Sequence, residues 1–200
     1  MWTPTALASE LRSYSGKVWR VVEAQHRIST NRLADSLEDQ ARLEALAEAA
    51  KPDLPRSAHG RHYLLASPFR YGHGTASRFR RADERPGIFY ASEAEATAIA
   101  ETAYWRLRFY LRSPGFVPPS ATTEHTSFTA EVATAHAIDL TRDPFAADAA
   151  LWTDPIDYSA CQELGHAARE AGAMLIRTRS VRDSTGGHNV VVLAPEAFTA

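Results

Sequence analysis

A single cysteine, Cys161, stands in 200 residues, which excludes an intramolecular disulfide framework and any cysteine-clustered zinc site. No apolar run approaches the roughly 18–20 residues needed to span a bilayer. Met1-Trp2-Thr3-Pro4 lacks the basic region and apolar stretch of a signal peptide, so a soluble cytoplasmic protein is the expectation. An excess of either charge is lacking as well, with 22 basic against 24 acidic residues. The net charge of −2 gives no global field that draws the chain onto nucleic acid or an acidic membrane. A Walker loop, a dinucleotide fingerprint, a metalloprotease helix and a Gly-x-Ser-x-Gly elbow are all missing. Neither an internal repeat nor a long low-complexity linker divides the chain. What remains is 44% hydrophobic and 23% charged, which excludes a disordered tail, a coiled coil and a collagen-like rod. This length makes one ordinary domain, or two small ones, with roughly 70% of the unfolded surface buried.

The pattern mixes strands and helices without regular alternation. Lys17 to Val22 reads as a first strand, rich in β-branched and aromatic residues. Asn31 to Ala50 reads as a helix, with Leu33, Leu37 and Ala41 at i+4 steps, ended by Lys51-Pro52-Asp53-Leu54-Pro55. This segment, about residues 29–55, resembles a peripheral insertion. His62 to Leu65 is a candidate short strand and Gly87 to Tyr90 a better one. Ser92 and Glu95 fit a capping box that opens a helix running to about Leu111. Thr126 to Ile138 alternates like a strand or hairpin. Ser159 and Gln162 offer a second capping box, for a helix ending at Gly172. Met174 to Arg177 and Asn189 to Leu193 close the chain as strands. The expectation is α+β, a mixed sheet core with flanking helices, and not a doubly wound sheet.

Few residues carry an evident chemistry. His59 and His62 stand three apart with no third ligand nearby, so no metal site is expected. Gly72-His73-Gly74 reads as a turn. Ser180, Asp183 and His188 hold the residue types of a hydrolase triad within one loop, whereas such triads are normally assembled from distant segments. Ser77 to Arg85 is more informative, with four arginines and Arg70 nearby. It reads either as a solvated basic face paired with Asp83 and Glu84, or as an anion site, since guanidinium forks match phosphate oxygens two at a time. A phosphorylated small molecule or dinucleotide suits that site better than nucleic acid. On the helix from Ser92, the expected apolar stripe is Ala96, Ile99, Ala100, Ala103 and Leu107. Glu101 falls off that stripe, beside Trp105 and Arg108, and taken alone reads as a surface glutamate.

Taken together, Trp19-Arg20, Ser77-Arg78-Phe79-Arg80, Phe89-Tyr90-Ala91-Ser92, Ala98-Ile99-Ala100-Glu101 and Arg179-Ser180-Val181-Arg182-Asp183 resemble the RES domain family. The resemblance covers about Lys17 to Phe198 of a single RES-like domain. It implies a fold similar to ADP-ribosyltransferase toxins, with a cleft for NAD. It further implies the toxin of a bacterial toxin–antitoxin pair, partnered by an Xre-type helix-turn-helix antitoxin. By match, Arg78 takes the family arginine position, Tyr90 the aromatic one, Glu101 the glutamate and Ser180 the serine, with Arg20 as a second arginine. Phe79-Arg80 departs from the Trp-Asn common in the family and leaves Arg78, Arg80 and Arg81 as alternatives for the cleft. The implied activity is cleavage of the nicotinamide–ribose bond, with NAD as substrate and no further cofactor. Phosphate is the favoured acceptor; water, a protein side chain, and a non-catalytic nucleotide-binding module are the alternatives. Glu101, Arg78 and Ser180 are the implied catalytic residues, and Arg20, Arg78, Tyr90 and Ser180 the implied NAD and phosphate contacts. Monomer and homodimer remain open.

Overall fold

The computed structural model describes residues 2–24, 34–117 and 123–199. Five strands form its centre: β1 (Arg12–Glu23), β2 (Phe89–Ser92), β3 (His125–Asp139), β4 (Leu175–Arg179) and β5 (His188–Val192). They close into a barrel in the order β1-β2-β5-β4-β3. The long β1–β3 ladder is antiparallel, with Lys17 opposite Glu131, whereas β3 and β4 run parallel, with Ala137 opposite Leu175. The α+β expectation therefore holds, with the mixed sheet closed on itself.

Both faces are buried at Leu175 and Ile176 of β4 and at Val190, Val191 and Val192 of β5, which explains these apolar runs. Side chains alternate across a strand, so Val190, Val192 and Leu175 join Val18, Phe89 and Phe198 in one cluster. Val191, Leu193 and Ile176 face the other way, against Phe145, Trp152, Cys161 and Leu164. That second layer is completed by α1 (Pro4–Ser9), α5 (Ala149–Trp152) and α6 (Ser159–Glu170). Gly165 of α6 lies so close to Phe79 that a Cβ there would stand 2.3 Å from its carbonyl oxygen. The helix is thereby seated directly on the arginine-rich segment.

Several local expectations change. His62 to Leu65 is not a strand; it begins α3 (Tyr63–Arg70), where the His62 imidazole accepts from Leu64 N. Leu64, Leu65 and Ala66 carry no β-branching, and their helix propensity prevails. Neither capping box forms. Ser92 ends β2 and donates to Asn189, while Gln162 donates to the Ser77 carbonyl, so tertiary partners take both side chains. The expected 31–50 helix is α2 (Leu37–Ala49), capped by Ser36 and without one buried residue; residues 31–33 of that expectation lie outside the described residues. Among the described residues, no helix is long and apolar enough to cross a membrane.

The helix that carries Glu101, α4 (Glu95–Leu111), corrects the amphipathic reading. Thr97 and Ala98 are its buried residues, whereas Ile99 and Leu107 are 51% and 61% exposed. The stripe expected to pack on the core faces solvent instead. The inward face runs along Thr97, Ala98 and Glu101, and Ala98, Glu101 and the partly exposed Trp105 line a cleft rather than a dry core.

Candidate functional site

The cleft, about 690 Å³, opens between α4, the outer stretch of β1, the Ser77–Arg80 turn and the β2–β5 pair. That volume suits an organic ligand of nucleotide or dinucleotide size. Arg20, Arg78, Tyr90 and Glu101 all line it. Residues from four separate segments of the sequence therefore meet in one place.

Glu101 sits at its wall with its two oxygens in different surroundings. Oε1 accepts from Ser180 Oγ and from Asn189 Nδ2, both at 2.6 Å. Asn189 is itself oriented, because its Oδ1 accepts from Ser92 Oγ at 2.7 Å. Both donors converge on Oε1, Oε2 accepts no hydrogen bond among the described residues, and Glu101 lines the cleft. Ser180 Oγ also accepts from the backbone N–H groups of Arg182 and Asp183, at 3.2 and 3.1 Å. Its single proton is thus committed to Glu101. The hydroxyl expected to reach the substrate is bonded to the Glu101 carboxylate, and Ser180 borders a second cavity and not this cleft.

The loop that presents Ser180 is clamped to α4. Thr97 Oγ1 donates to Asp183 Oδ2 at 2.6 Å, one helical turn before Glu101. Hydrogen bonds from the Thr185 hydroxyl, Thr97 and the Thr185 backbone pull the Asp183 pKa down to about 2. A Cβ at Gly187 would stand 2.1 Å from Thr97 Oγ1, so only glycine lets loop and helix approach this closely. His188 lies 3.4 Å from Glu93, and Asp183 is spent on Thr97 and Thr185. The triad residue types are not assembled.

The arginine cluster divides by role. Ser77 and Arg80 exchange backbone hydrogen bonds across a tight turn, with Arg78 and Phe79 at its corner. Phe79 is buried in the core and points Arg78 the other way. Arg78 Nη1 donates to the carbonyls of Trp152 and Asp154, and its guanidinium lies 4.3 Å above the Tyr158 ring. Arg80 is 3% exposed and donates to the carbonyls of His73, Thr75 and Arg81, which makes it a strut. Arg81 pairs with Glu163 at 2.6 Å. Of the three alternatives, Arg78 is the one that faces the cleft.

Arg20 lies across the same cleft, its guanidinium 4.5 Å above the Phe89 ring and 3.5 Å from the Tyr90 carbonyl. Burial lowers its pKa to about 10, so it stays charged at neutral pH in a site that disfavours the charge. Among the described residues, neither Arg20 nor Arg78 forms a salt bridge, although the Asp154 carboxyl, held below its ordinary range by the Ile156 and Asp157 backbone N–H groups, also feels the Arg78 charge. Two guanidiniums in one pocket are the groups that match the oxygens of an anion. Tyr90 lends its ring to the lining, while its hydroxyl pins the turn through Ser77 Oγ at 2.8 Å and Phe79 N at 3.2 Å.

Sequence reasoning missed Asn189, Tyr158 and the Thr97–Asp183 clamp. Arg182, quoted only as part of a motif, lies 3.6 Å above the Tyr104 ring and donates to Tyr158 and Pro155, closing the rim over α4. Thr97, Glu101 and Trp105 at i+4 spacing were the available signal for the inward face. His59 and His62 serve nearby backbone, the first on the Leu54 carbonyl and the second as the α3 cap.

One cleft of a small mixed barrel thus holds a carboxylate, Glu101, and two guanidiniums, Arg20 and Arg78. The chain belongs to the RES domain family, whose model matches residues 53–200. Its fold is similar to a chain in the crystal structure of the M. tuberculosis MbcT-MbcA toxin-antitoxin complex. The TM-score is 0.53 and the identity 17%, covering 97% of this chain and 85% of that one. Among curated proteins, none matches.

Proposed function

We propose that this chain cleaves the nicotinamide–ribose bond of NAD, with inorganic phosphate as the favoured acceptor. The observation that carries the reading is Glu101. One of its oxygens is fixed by two neutral donors, the other accepts no hydrogen bond among the described residues, and the residue lines a cleft that also holds Arg20 and Arg78. Breaking this bond develops positive charge on the ribose, as in glycoside hydrolysis, and a fixed carboxylate stabilises that charge. The electron pair of the C–N bond returns to the pyridinium ring, which departs neutral and needs no strong general acid. An acceptor oxygen then bonds to the ribose carbon. Phosphate gives the 1-phosphate of ADP-ribose; water gives ADP-ribose and a proton. Arg20 and Arg78 hold the pyrophosphate, with the Tyr90 ring packed near the ribose.

In the cell, the proposed role is the toxin of a toxin–antitoxin pair, silenced by a helix-turn-helix partner. Membership of the RES family supports this, as does a fold shared with a chain from a toxin–antitoxin complex. The test is incubation of the purified protein with NAD, with and without phosphate, followed by identification of the products. Phosphate-dependent loss of NAD is expected. NAD that persists in both arms overturns the reading, and loss independent of phosphate moves the acceptor to water.

The two arginines at opposite ends of the arginine-rich segment provide a control within it. Arg78→Ala should raise the KM for NAD by about 10- to 150-fold, the value of one charge-assisted contact of about 1.5–3 kcal/mol. Arg85 is exposed, and Arg85→Ala should leave KM unchanged. Equal effects from both would place the anion elsewhere.

A further inference from the structure

Among the described residues, three buried side-chain polar atoms have no hydrogen-bond partner in the protein: Arg12 Nε, Arg169 Nε and Thr178 Oγ1. Of these residues, only Thr178 lines the cleft. It is 2% exposed, and no protein group serves its hydroxyl. On its face of the sheet, Ile176 and Val191 are buried and apolar, and Asn189 stands opposite it. A valine would fill the same space and avoid the cost of an unmet hydroxyl. The hydroxyl therefore needs a partner that arrives from outside the fold.

Its position indicates which partner. Thr178 lies opposite Asn189 in the β4–β5 register. It is two residues before Ser180, on the same side of the chain, since side chains repeat every second residue. Asn189 and Ser180 are the two donors that hold Glu101. We propose that Thr178 Oγ1 contacts the substrate directly, through a polar group at its nicotinamide–ribose end. This inference rests on the NAD reading above. Thr178 also borders a second cavity of about 560 Å³, shared with Arg179 and Ser180. A hydroxyl serving that cavity predicts a different result.

The experiment measures NAD turnover and melting temperature for wild type, Thr178→Val and Thr178→Ser. Thr178→Val should raise KM about three- to tenfold, the value of one neutral hydrogen bond, with kcat changed by less than about twofold. Its melting temperature should hold or rise by about 2–4 °C, because an unmet buried hydroxyl has been removed. Thr178→Ser keeps the hydroxyl and should keep a KM close to wild type. An unchanged KM in an active Thr178→Val enzyme overturns the inference alone and points the hydroxyl at the second cavity. A fall in melting temperature means that the hydroxyl was bonded within the protein, and it overturns the inference too. So does a serine variant as impaired as the valine. Wild type that consumes no NAD overturns the proposed function, and this inference with it.

Discussion

Glu101→Gln should lower the rate of NAD cleavage by about 100-fold or more while the protein stays folded. The amide has the shape of the carboxylate, and its oxygen can take the Oε1 position that accepts from Ser180 and Asn189. Two charge-assisted hydrogen bonds become neutral ones, which costs on the order of 1 kcal/mol and lowers the melting temperature by about 2–4 °C. The amide nitrogen then stands at the Oε2 position. A neutral donor cannot offset the positive charge that grows on the ribose, so the loss falls on kcat and on kcat/KM alike. Glu101→Ala is the poorer probe. It strips the acceptor from two donors at once and mixes structural damage with chemical loss. Near wild-type turnover by the glutamine variant would leave Glu101 as a support for the Ser180 loop and nothing more.

How much of this was legible in the sequence depends on where each side chain finds its partner. β5 was clear from Asn189 to Leu193 because a strand buried on both faces reads as an unbroken apolar run. The extent of α4 was clear too, but its orientation was not. Amphipathic reading assumes that apolar residues face inward onto a core, and here the inward face borders an open cleft, leaving Ile99 and Leu107 outside. The same inversion made Glu101 look like a surface residue. Ser92 and Gln162 failed as caps for a related reason. Local pattern offers each a backbone partner, whereas the fold brings Asn189 to one and the Ser77 carbonyl to the other. The barrel closure was hidden because β3 meets β4 across 35 intervening residues, from Asp139 to Leu175, in parallel register. The arginines show the limit best. Arg78, Arg80 and Arg81 lie side by side in sequence, and only the core position of Phe79 decides which one enters the cleft.

Arg20→Met should separate binding from stability more sharply than any other change in the cleft. The Arg20 pKa falls to about 10 through burial alone, which marks a native state that opposes the charge by on the order of 3 kcal/mol. The sign is that of a depressed cation: the cost is present at neutral pH and is relieved only as pH rises above about 10. Methionine fills much of the same volume, keeps contact with the Phe89 ring and carries no charge. Its melting temperature should therefore equal or exceed that of the wild type. Binding should move the other way. The pyrophosphate loses a guanidinium held in a low-dielectric site, and NAD affinity should fall by about 10- to 150-fold. Calorimetric titration of NAD beside a thermal melt reads both quantities. A destabilised Arg20→Met protein with undiminished NAD affinity would show that Arg20 braces the β2 backbone through the Tyr90 carbonyl, and would leave Arg78 as the sole anion contact.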